Sequence, residues 1–502
     1  MRLGDLCDGC LDVPARLGDL DVTGVACDSR QVCPGDLFVA VTGAAADGHL
    51  FASRAVEAGA VAVVGELRSV ERLPEMPELE AAAGSAAGRI PLAGHSFART
   101  LGVPYIRVED SRLALGQLAG AFHRRPSHAL RVVGVTGTKG KTSTTWLLEE
   151  ILRRSGRKPA LFGTVENRFA SRVVPSKNTT PGALTLHGWL REHLDSGGTD
   201  AVIEVSSHAI VQQRTAGIRF VGGILTNVAP EHLDYHKTYE EYVEVKRSFF
   251  RSLSADAFSV LSREDRAAQR FARETPARVV WYGSDAQDGV EGLQISVDGM
   301  RFTWKGAVVR SRLLGYHNLL NMLAAMTAAE CLGLPVRDIA AAVEEAQLPP
   351  GRLEEVPNDR DLRVVIDYAH TDGALDAVLR TLRPMTRGRL ISIFGCGGDR
   401  DASKRPRMGR VAEQCSDQLI LTSDNPRSEL PQKILDDIRE GLERPESAVM
   451  IEDRREAIAL GIRMARAGDT VLIAGKGHEK YQEVNGQSLH FDDREVAREF
   501  LE

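Results

Sequence analysis

From about residue 131 onward, short runs of apolar and β-branched residues alternate with helical stretches: RVVGVTG, then STTWLLEEILRRSG, then PALFGT. That rhythm predicts βαβ units. Further runs of the same texture are DAVIEVS (200–206), FVGGILTN (220–227), LRVVIDYA (362–369), RLISIFG (389–395), QLILTS (418–423) and DTVLIAG (469–475). Strands that are apolar along their whole length, not at alternate positions, suit parallel sheets covered by helices on both faces, so the fold class is α/β. The first hundred residues carry a smaller version, with GDLFVAV and AVAVVGE as strands around the helix-like FASRAVEAGA.

A chain of 502 residues exceeds what one core organises, and about three domains are expected. Texture divides it into a small N-terminal α/β domain (1–109), a central P-loop ATPase-like parallel-sheet domain (110–348) and a C-terminal Rossmann-like α/β domain (349–502). Pro349, Pro350 and Gly351 form the hinge between the last two, and residues 67–100, rich in Pro, Gly, Ala and charge without sustained periodicity, read as a mobile insertion. The balance of 63 Lys+Arg against 69 Asp+Glu gives a net charge of -6, which argues against a general nucleic-acid binder. No apolar run reaches the roughly 18 residues of a membrane span, and the first twenty residues have no continuous apolar stretch of signal-peptide length, so a cytoplasmic protein without membrane insertion is expected. Seven scattered cysteines read as reduced thiols. Among them Cys7, Cys10, Cys27 and Cys33 open with CxxC, but the second pair is spaced too widely for a zinc ribbon.

The strongest chemical signal is Gly137-Thr138-Lys139-Gly140-Lys141-Thr142, lying between the strand RVVGVT and a helix that begins at Ser143. Small residues let backbone N–H groups curl around phosphate oxygens, and the helix adds its positive N-terminal end. Lys141 would neutralise the β and γ phosphates of ATP, and Thr142 would offer a hydroxyl to Mg²⁺. The spacing is a variant of the usual phosphate loop, because position 135 is Val and not Gly. Gly134, Gly137 and Gly140, at equal intervals of three, fit the dinucleotide fingerprint poorly.

A second signal is a lysine on the wrong face of a helix. In TYEEYVEVKRSFF the apolar or aromatic residues 239, 242, 243 and 250 define one face by their i, i+3, i+4 spacing, and Lys246 continues it. An unpaired ammonium pointing inward costs several kcal/mol or shifts its pKa. Glu204 and His232 each follow a strand-like run, so both can sit at the carboxyl edge of a parallel sheet, where ligand sites form.

The phosphate loop, followed in order by Asn178-Thr179-Thr180-Pro181, Glu204-Val205-Ser206-Ser207-His208 and His232-Leu233-Asp234-Tyr235-His236, resembles the Mur ligases, and among them those that add the third amino acid. The likeness runs nearly end to end, from Asp28-Ser29-Arg30 to Phe491-Asp492-Asp493-Arg494. It implies that the first domain holds uridine diphosphate, with Ser29 as a contact, and that Thr179, Thr180, Ser206, Gln212 and Arg214 hold the UDP-muramoyl peptide. It assigns ATP to Gly137, Thr138, Lys139, Gly140, Lys141, Thr142, Ser143, Asn318 and Asp367, and catalysis to Lys141, Glu204, His232 and Lys246. Metal ligands are Thr142, Glu204, His232 and Lys246, the last as a carbamate formed from CO₂ by the neutral amine that burial favours. Two departures occur: Glu231 stands where Asp is frequent, and Thr371-Asp372-Gly373 replaces the usual Thr-Pro continuation after Asp367-Tyr368-Ala369-His370.

The resemblance implies choice of amino acid by Arg400, Asp424, Asn425, Pro426, Arg427, Gly475 and Glu479. The Asp-Asn-Pro-Arg segment resembles that of members adding meso-2,6-diaminopimelate, where Arg427 would grip the distal carboxylate in bidentate fashion and Glu479 the distal ammonium. The implied reaction joins this amino acid to the D-glutamyl side chain of UDP-N-acetylmuramoyl-L-alanyl-D-glutamate through an acyl phosphate, with a monomer as the acting species. L-lysine or another diamino acid is the rival substrate. A rival of another class is a non-catalytic nucleotide-binding partner of wall enzymes, against which the presence of Lys141, Thr142, Glu204, His232 and Lys246 speaks.

Overall fold

The computed structural model describes residues 1–11, 13–43, 46–66, 101–296 and 298–502. The insertion expected at 67–100 lies outside them. The chain is mixed α/β, and its backbone contacts group into two compact units, Met1–Gly134 with Arg157–Gly222 and Arg251–Ala257, and Val135–Gly156 with Gly223–Phe250 and Phe258–Glu502.

In the first unit a four-stranded parallel sheet runs in the order β1 (Gly24–Ala26), β2 (Asp36–Val39), β3 (Ala62–Glu66), β4 (Tyr105–Val108). Successive side chains on a strand face opposite ways. Leu37 and Val39 therefore join a core with Leu3, Leu6, Val22 and Leu118, while Phe38 and Ala40 join another with Ala52, Ala55 and Val63. Both faces are covered, which is why the LFVAV part of that run (37–41) is apolar throughout. Helix Ser111–Phe122 closes one face, and its Asp110 cap accepts from the amides of Arg112 and Leu113.

Also in this unit are β6 (Pro159–Phe162), β7 (Glu166–Phe169), β8 (Arg172–Pro175) and β9 (Asp200–Glu204), in the order β9-β6-β7-β8. The β6–β9 pair is parallel as expected, but β7 and β8 are antiparallel. Ala170 and Ser171, with φ of 47° and 63°, make the tight turn between them.

In the second unit run β12 (Arg278–Tyr282), β11 (Phe258–Ser262), β10 (Gly222–Leu225) and the end of β5 (Arg131–Thr136), in that order. The strands β13 (Val290–Ser296), β14 (Gly299–Trp304) and β15 (Ala307–Ser311) form a separate antiparallel sheet. Beyond the Pro-Pro-Gly segment lies a six-stranded sheet in the order β16 (Glu354–Val356), β17 (Arg363–Asp367), β21 (Thr470–Ala474), β18 (Leu390–Phe394), β19 (Gln418–Leu421), β20 (Ala448–Met450). All its pairs are parallel except β16–β17. Leu390, Phe394, Leu419, Leu421 and Leu472 pack on one face, and Ile391, Ile393, Ile420, Val471 and Ile473 on the other. The strands thus satisfy the two-sided burial that their composition demands. A hairpin of β22 (Tyr481–Val484) and β23 (Gln487–His490) follows β21. No described helix is long and apolar enough to cross a membrane. All seven cysteines are free thiols, and Cys10 Sγ donates to the Leu6 and Cys7 carbonyls.

Candidate active site

The phosphate loop connects β5 to helix Lys141–Arg154. Its two glycines are required by shape: Gly137 (φ 146°) lies so close to Thr226 that a Cβ would strike the hydroxyl, and Gly140 (φ 83°) is equally tight against the Asn321 amide. The loop is pinned to the segment after β10. Asn227 accepts from the Thr138 amide through its carbonyl (2.8 Å) and from the Lys139 amide through Oδ1 (3.0 Å), and its Nδ2 donates to the Lys139 carbonyl (2.9 Å). Thr226 Oγ1 donates to the same carbonyl at 2.6 Å. The helix therefore starts from a fixed point, with first-turn amides that lie beyond the reach of its own carbonyls and present a positive end to an anion. Lys141 Nζ bridges the Gly137 (3.0 Å) and Thr138 (2.8 Å) carbonyls over the loop. Thr142 and Ser143, in the same turn, are buried.

Helix Tyr239–Arg251 delivers Lys246 to this loop. The side chain is 1% exposed, its Nζ donates to the Gly137 carbonyl at 2.8 Å, and it lies 4.6 Å from the Tyr242 ring centre. Burial, reinforced by the charge of Lys141 and opposed by Glu231, holds its pKa well below the ordinary lysine value. Of the face read from the sequence, Tyr242, Val243, Lys246 and Phe250 are buried and Tyr239, in the first turn, is half-buried. His232 adopts a left-handed conformation (φ 55°) at the start of helix Leu233–His236, with Nε2 3.9 Å from a Glu231 carboxylate oxygen. Asn318 is buried in helix Tyr316–Cys331, donates to the Leu314 carbonyl (2.9 Å) and accepts from Asn321 (3.3 Å). Asp367, at the end of β17, uses one carboxylate oxygen for the Leu353 amide and the other for the Ala369 amide, both at 2.8 Å. It braces the chain just past the Pro-Pro-Gly segment. Gly351 (φ 71°) there touches bare backbone, for a Cβ would strike the Gly477 carbonyl carbon and the His478 nitrogen.

In the first unit, Glu204 ends β9 with its carboxylate fully buried. It accepts from the Thr164 amide (2.7 Å) and hydroxyl (3.0 Å), and that hydroxyl also lies 3.2 Å from Thr179 Oγ1. Thr180 Oγ1 donates to the Glu204 carbonyl (2.6 Å) and accepts from the Ser206 amide (3.2 Å). Arg214 donates to the Thr180 carbonyl (2.8 Å) and, through Nε and Nη2, to Gln212 Oε1. The six residues Thr179, Thr180, Glu204, Ser206, Gln212 and Arg214 thus form one network, in which Thr164, which sequence reasoning missed, links Thr179 to Glu204. Ser29 is buried in the loop between β1 and β2, apart from that network.

The remaining candidates gather at the carboxyl ends of β18, β19 and β21. Asn425 Nδ2 donates to Glu479 Oε2 (2.8 Å), and its Oδ1 accepts from the buried Lys476 Nζ (2.9 Å). Burial and then the Asp424 charge raise the pKa of Glu479, and burial lowers that of Lys476. Two carboxylates, those of Asp424 and Glu479, thus act electrostatically on the one amine of Lys476. Arg427, held at φ 53°, is already partly engaged: Nη1 donates to the Gly398 carbonyl (2.7 Å) and Nε to Glu483 (3.0 Å). Pro426 backs onto Gly398, Gly475 leaves room for Asp424, and Arg400 is exposed. Asn227, Asn321, Lys476 and Glu483 join Thr164 as residues whose part is set by tertiary contact. Among the described residues no three His, Cys, Asp or Glu side chains converge as a metal site.

Three models of one family match the chain: Mur ligase family, catalytic domain (21–123), Mur ligase middle domain (135–329) and Mur ligase, glutamate ligase domain (351–477). A protein of Geobacter metallireducens named UDP-N-acetylmuramoyl-L-alanyl-D-glutamate--2,6-diaminopimelate ligase is 41% identical over 534 aligned positions, covering 100% of this chain and 99% of that one. A Cytophaga hutchinsonii protein of the same name is 38% identical over 496 residues, covering 96% of this chain and 95% of its own. A solved structure of a ligase with that name superposes with a TM-score of 0.68 at 32% identity, covering 100% of this chain and 98% of that one. The MurF ligase of Thermotoga maritima in complex with ADP shares the fold at a TM-score of 0.60 and 18% identity, covering 96% of this chain and 98% of its own. With its α/β architecture, its phosphate loop and likeness along its whole length, the chain belongs to the Mur ligase family.

Proposed function

We propose that this Mur ligase joins meso-2,6-diaminopimelate to the side-chain carboxyl of D-glutamate in UDP-N-acetylmuramoyl-L-alanyl-D-glutamate, at the expense of ATP, as a cytoplasmic monomer making peptidoglycan precursor. Its working parts are an N-terminal UDP-binding domain (1–109), a central ATP-binding domain (110–348) and a C-terminal amino-acid-binding domain (349–502). The observation that carries the reading is the cluster of Asn425, Lys476 and Glu479 beside Arg427 at the strand ends, in which Asp424 and Glu479 would complement an ammonium and Arg427 a second carboxylate. Relatives bearing that activity in their names, alike over nearly the full length, support it.

The glutamyl carboxylate attacks the γ-phosphorus, the bond to the β-phosphate oxygen breaks, and ADP departs to leave an acyl phosphate. The unprotonated amine of the amino acid then attacks the acyl carbon. Phosphate leaves, the new nitrogen loses its proton, and the amide remains. Lys141 and the first-turn amides of its helix offset the phosphate charge in both steps. Thr179, Thr180, Ser206, Gln212 and Arg214 orient the acceptor, and Ser29 its uridine diphosphate. Thr142, Glu204, His232 and Lys246 are the residues that would hold Mg²⁺, which when bound supplies charge neutralisation. Burial, which holds the Lys246 pKa low, favours the neutral amine that carbamate formation requires: the amine adds CO₂, loses a proton and becomes an anionic oxygen ligand.

The test is amide formation with ATP, Mg²⁺, the UDP-dipeptide and a panel of diamino acids, followed by ADP release and product mass. Tripeptide formed with meso-2,6-diaminopimelate in preference to L-lysine is expected. Equal use of lysine would refute the role of Arg427, and no amide with any amino acid would refute the reaction. For the carbamate, ¹³C-labelled bicarbonate should give a carbamate resonance that disappears in Lys246→Met.

A further inference from the structure

Arg427 is held by more than its own loop. Residues 482–485, at the start of the β22–β23 hairpin, run beside Asp424–Arg427 and bond to it four times through backbone or amide groups. The Arg427 amide donates to the Glu483 carbonyl (3.0 Å), and its carbonyl accepts from the Asn485 amide (2.8 Å). Gln482 Nε2 donates to the Asp424 carbonyl (2.8 Å), and the Glu483 amide to Asn425 Oδ1 (3.0 Å). On this frame the Glu483 carboxylate accepts from Arg427 Nε at 3.0 Å, while Nη1 is fixed by the Gly398 carbonyl at 2.7 Å. A guanidinium is planar, so two bonds to different edges fix its plane and leave Nη2 for a third partner.

We propose that Glu483 is a positioning residue for amino-acid selection: with the Gly398 carbonyl it orients Arg427 so that the remaining Nη2 edge takes the distal carboxylate of the diamino acid. This rests on the reading of Arg427 given above. Without Glu483 the long side chain regains rotamers that it must lose again on each binding event, and a fixed fork becomes a loose one. An opposing effect exists, because the Glu483 charge also repels an incoming carboxylate. Geometry decides between them: Glu483 spends its charge on Nε at hydrogen-bond distance, whereas the substrate is left the N–H groups of Nη2 on the same ion.

The backbone bonds between the two segments do not involve the Glu483 side chain, so variants at 483 isolate that side chain. Glu483→Ala should raise the KM for meso-2,6-diaminopimelate about tenfold, with kcat and the KM values for ATP and UDP-dipeptide within about twofold, and Glu483→Gln, which keeps an acceptor for Nε, should recover most of the loss. The preference for meso-2,6-diaminopimelate over L-lysine should fall in step. In an Arg427→Ala background, Glu483→Ala should change that preference no further. If Arg427→Ala lowers the preference while Glu483→Ala leaves it intact, or if Glu483→Ala tightens binding, the inference fails. If Arg427→Ala itself leaves the preference unchanged, the reading of Arg427 fails, and the inference with it.

Discussion

Asp493→Asn tests whether a buried ion pair fixes the two strand ends that carry the amino-acid pocket. Arg454 and Asp493 are both fully buried, bonded from Nε to Oδ1 at 2.8 Å and from Nη2 to Oδ2 at 2.7 Å. The same guanidinium donates to the Ser423 carbonyl (3.3 Å) and the Ala474 carbonyl (3.0 Å), just beyond β19 and at the end of β21. Asparagine keeps one acceptor, turns an N–H₂ toward a cation and leaves that cation uncompensated. Breaking a buried pair in this way costs about 3–5 kcal/mol. At about 1.4 kcal/mol per factor of ten, amide exchange of β19 and β21 should accelerate by roughly two to three and a half orders of magnitude. Hydrogen exchange with mass spectrometry reads this locally, with β1–β4 as the internal control. The KM for the amino acid should rise at the same time, because Asp424 and Gly475 follow directly from the anchored carbonyls. Acceleration of less than about tenfold at β19 and β21 would refute the pair as an anchor.

Lys246→Met should abolish turnover and stabilise the fold at pH 7 in CO₂-free buffer. Because burial depresses the folded-state pKa of Lys246, the unfolded chain binds more protons than the folded one between that depressed value and 10.5. Wild-type stability therefore rises with pH in that window, and the advantage of the methionine variant should shrink by up to about 1.4 kcal/mol per pH unit, as denaturation at several pH values would read. Gly137→Ala should weaken nucleotide binding, measured by calorimetry, by at least about tenfold, since a Cβ must displace Thr226 from its bond to Lys139. Thr164→Val removes the hydroxyl donor to the Glu204 carboxylate and should raise the half-saturating Mg²⁺ concentration about tenfold in the ligation assay; an unchanged requirement would remove Glu204 from cation binding.

The parallel strands were legible because two-sided burial leaves an unbroken apolar run, as at Leu390–Phe394 and Thr470–Ala474. Lys246 was legible because a helix fixes its phase, so one lysine among Tyr242, Val243 and Phe250 had to point inward. The β7–β8 pair escaped because Ala170-Ser171 is not a sequence that announces a tight turn, although both residues have positive φ. Asn485-Gly486 between β22 and β23 does announce one, and the short exposed strands around it hid the signal. Thr164 could not be found from sequence: its role comes from the burial of Glu204, forty positions away, against its amide. Likewise a solvated Arg427 and one held by Glu483 read identically along the chain, since the partner lies 56 residues later. Local pattern carries phase and periodicity, but contacts between strand-end loops depend on the register of the whole sheet.

At residue 351 the chain passes against residues 477 and 478 with backbone on backbone. The Tyr368 side chain packs on the same Gly477, so the chain after Pro350 and the loop leading to Glu479 meet in a space with no room for a further carbon. Any side chain at 351 would therefore push residues 477 and 478 outward and carry Glu479 with them, so the placing of that carboxylate depends on a glycine 128 positions earlier.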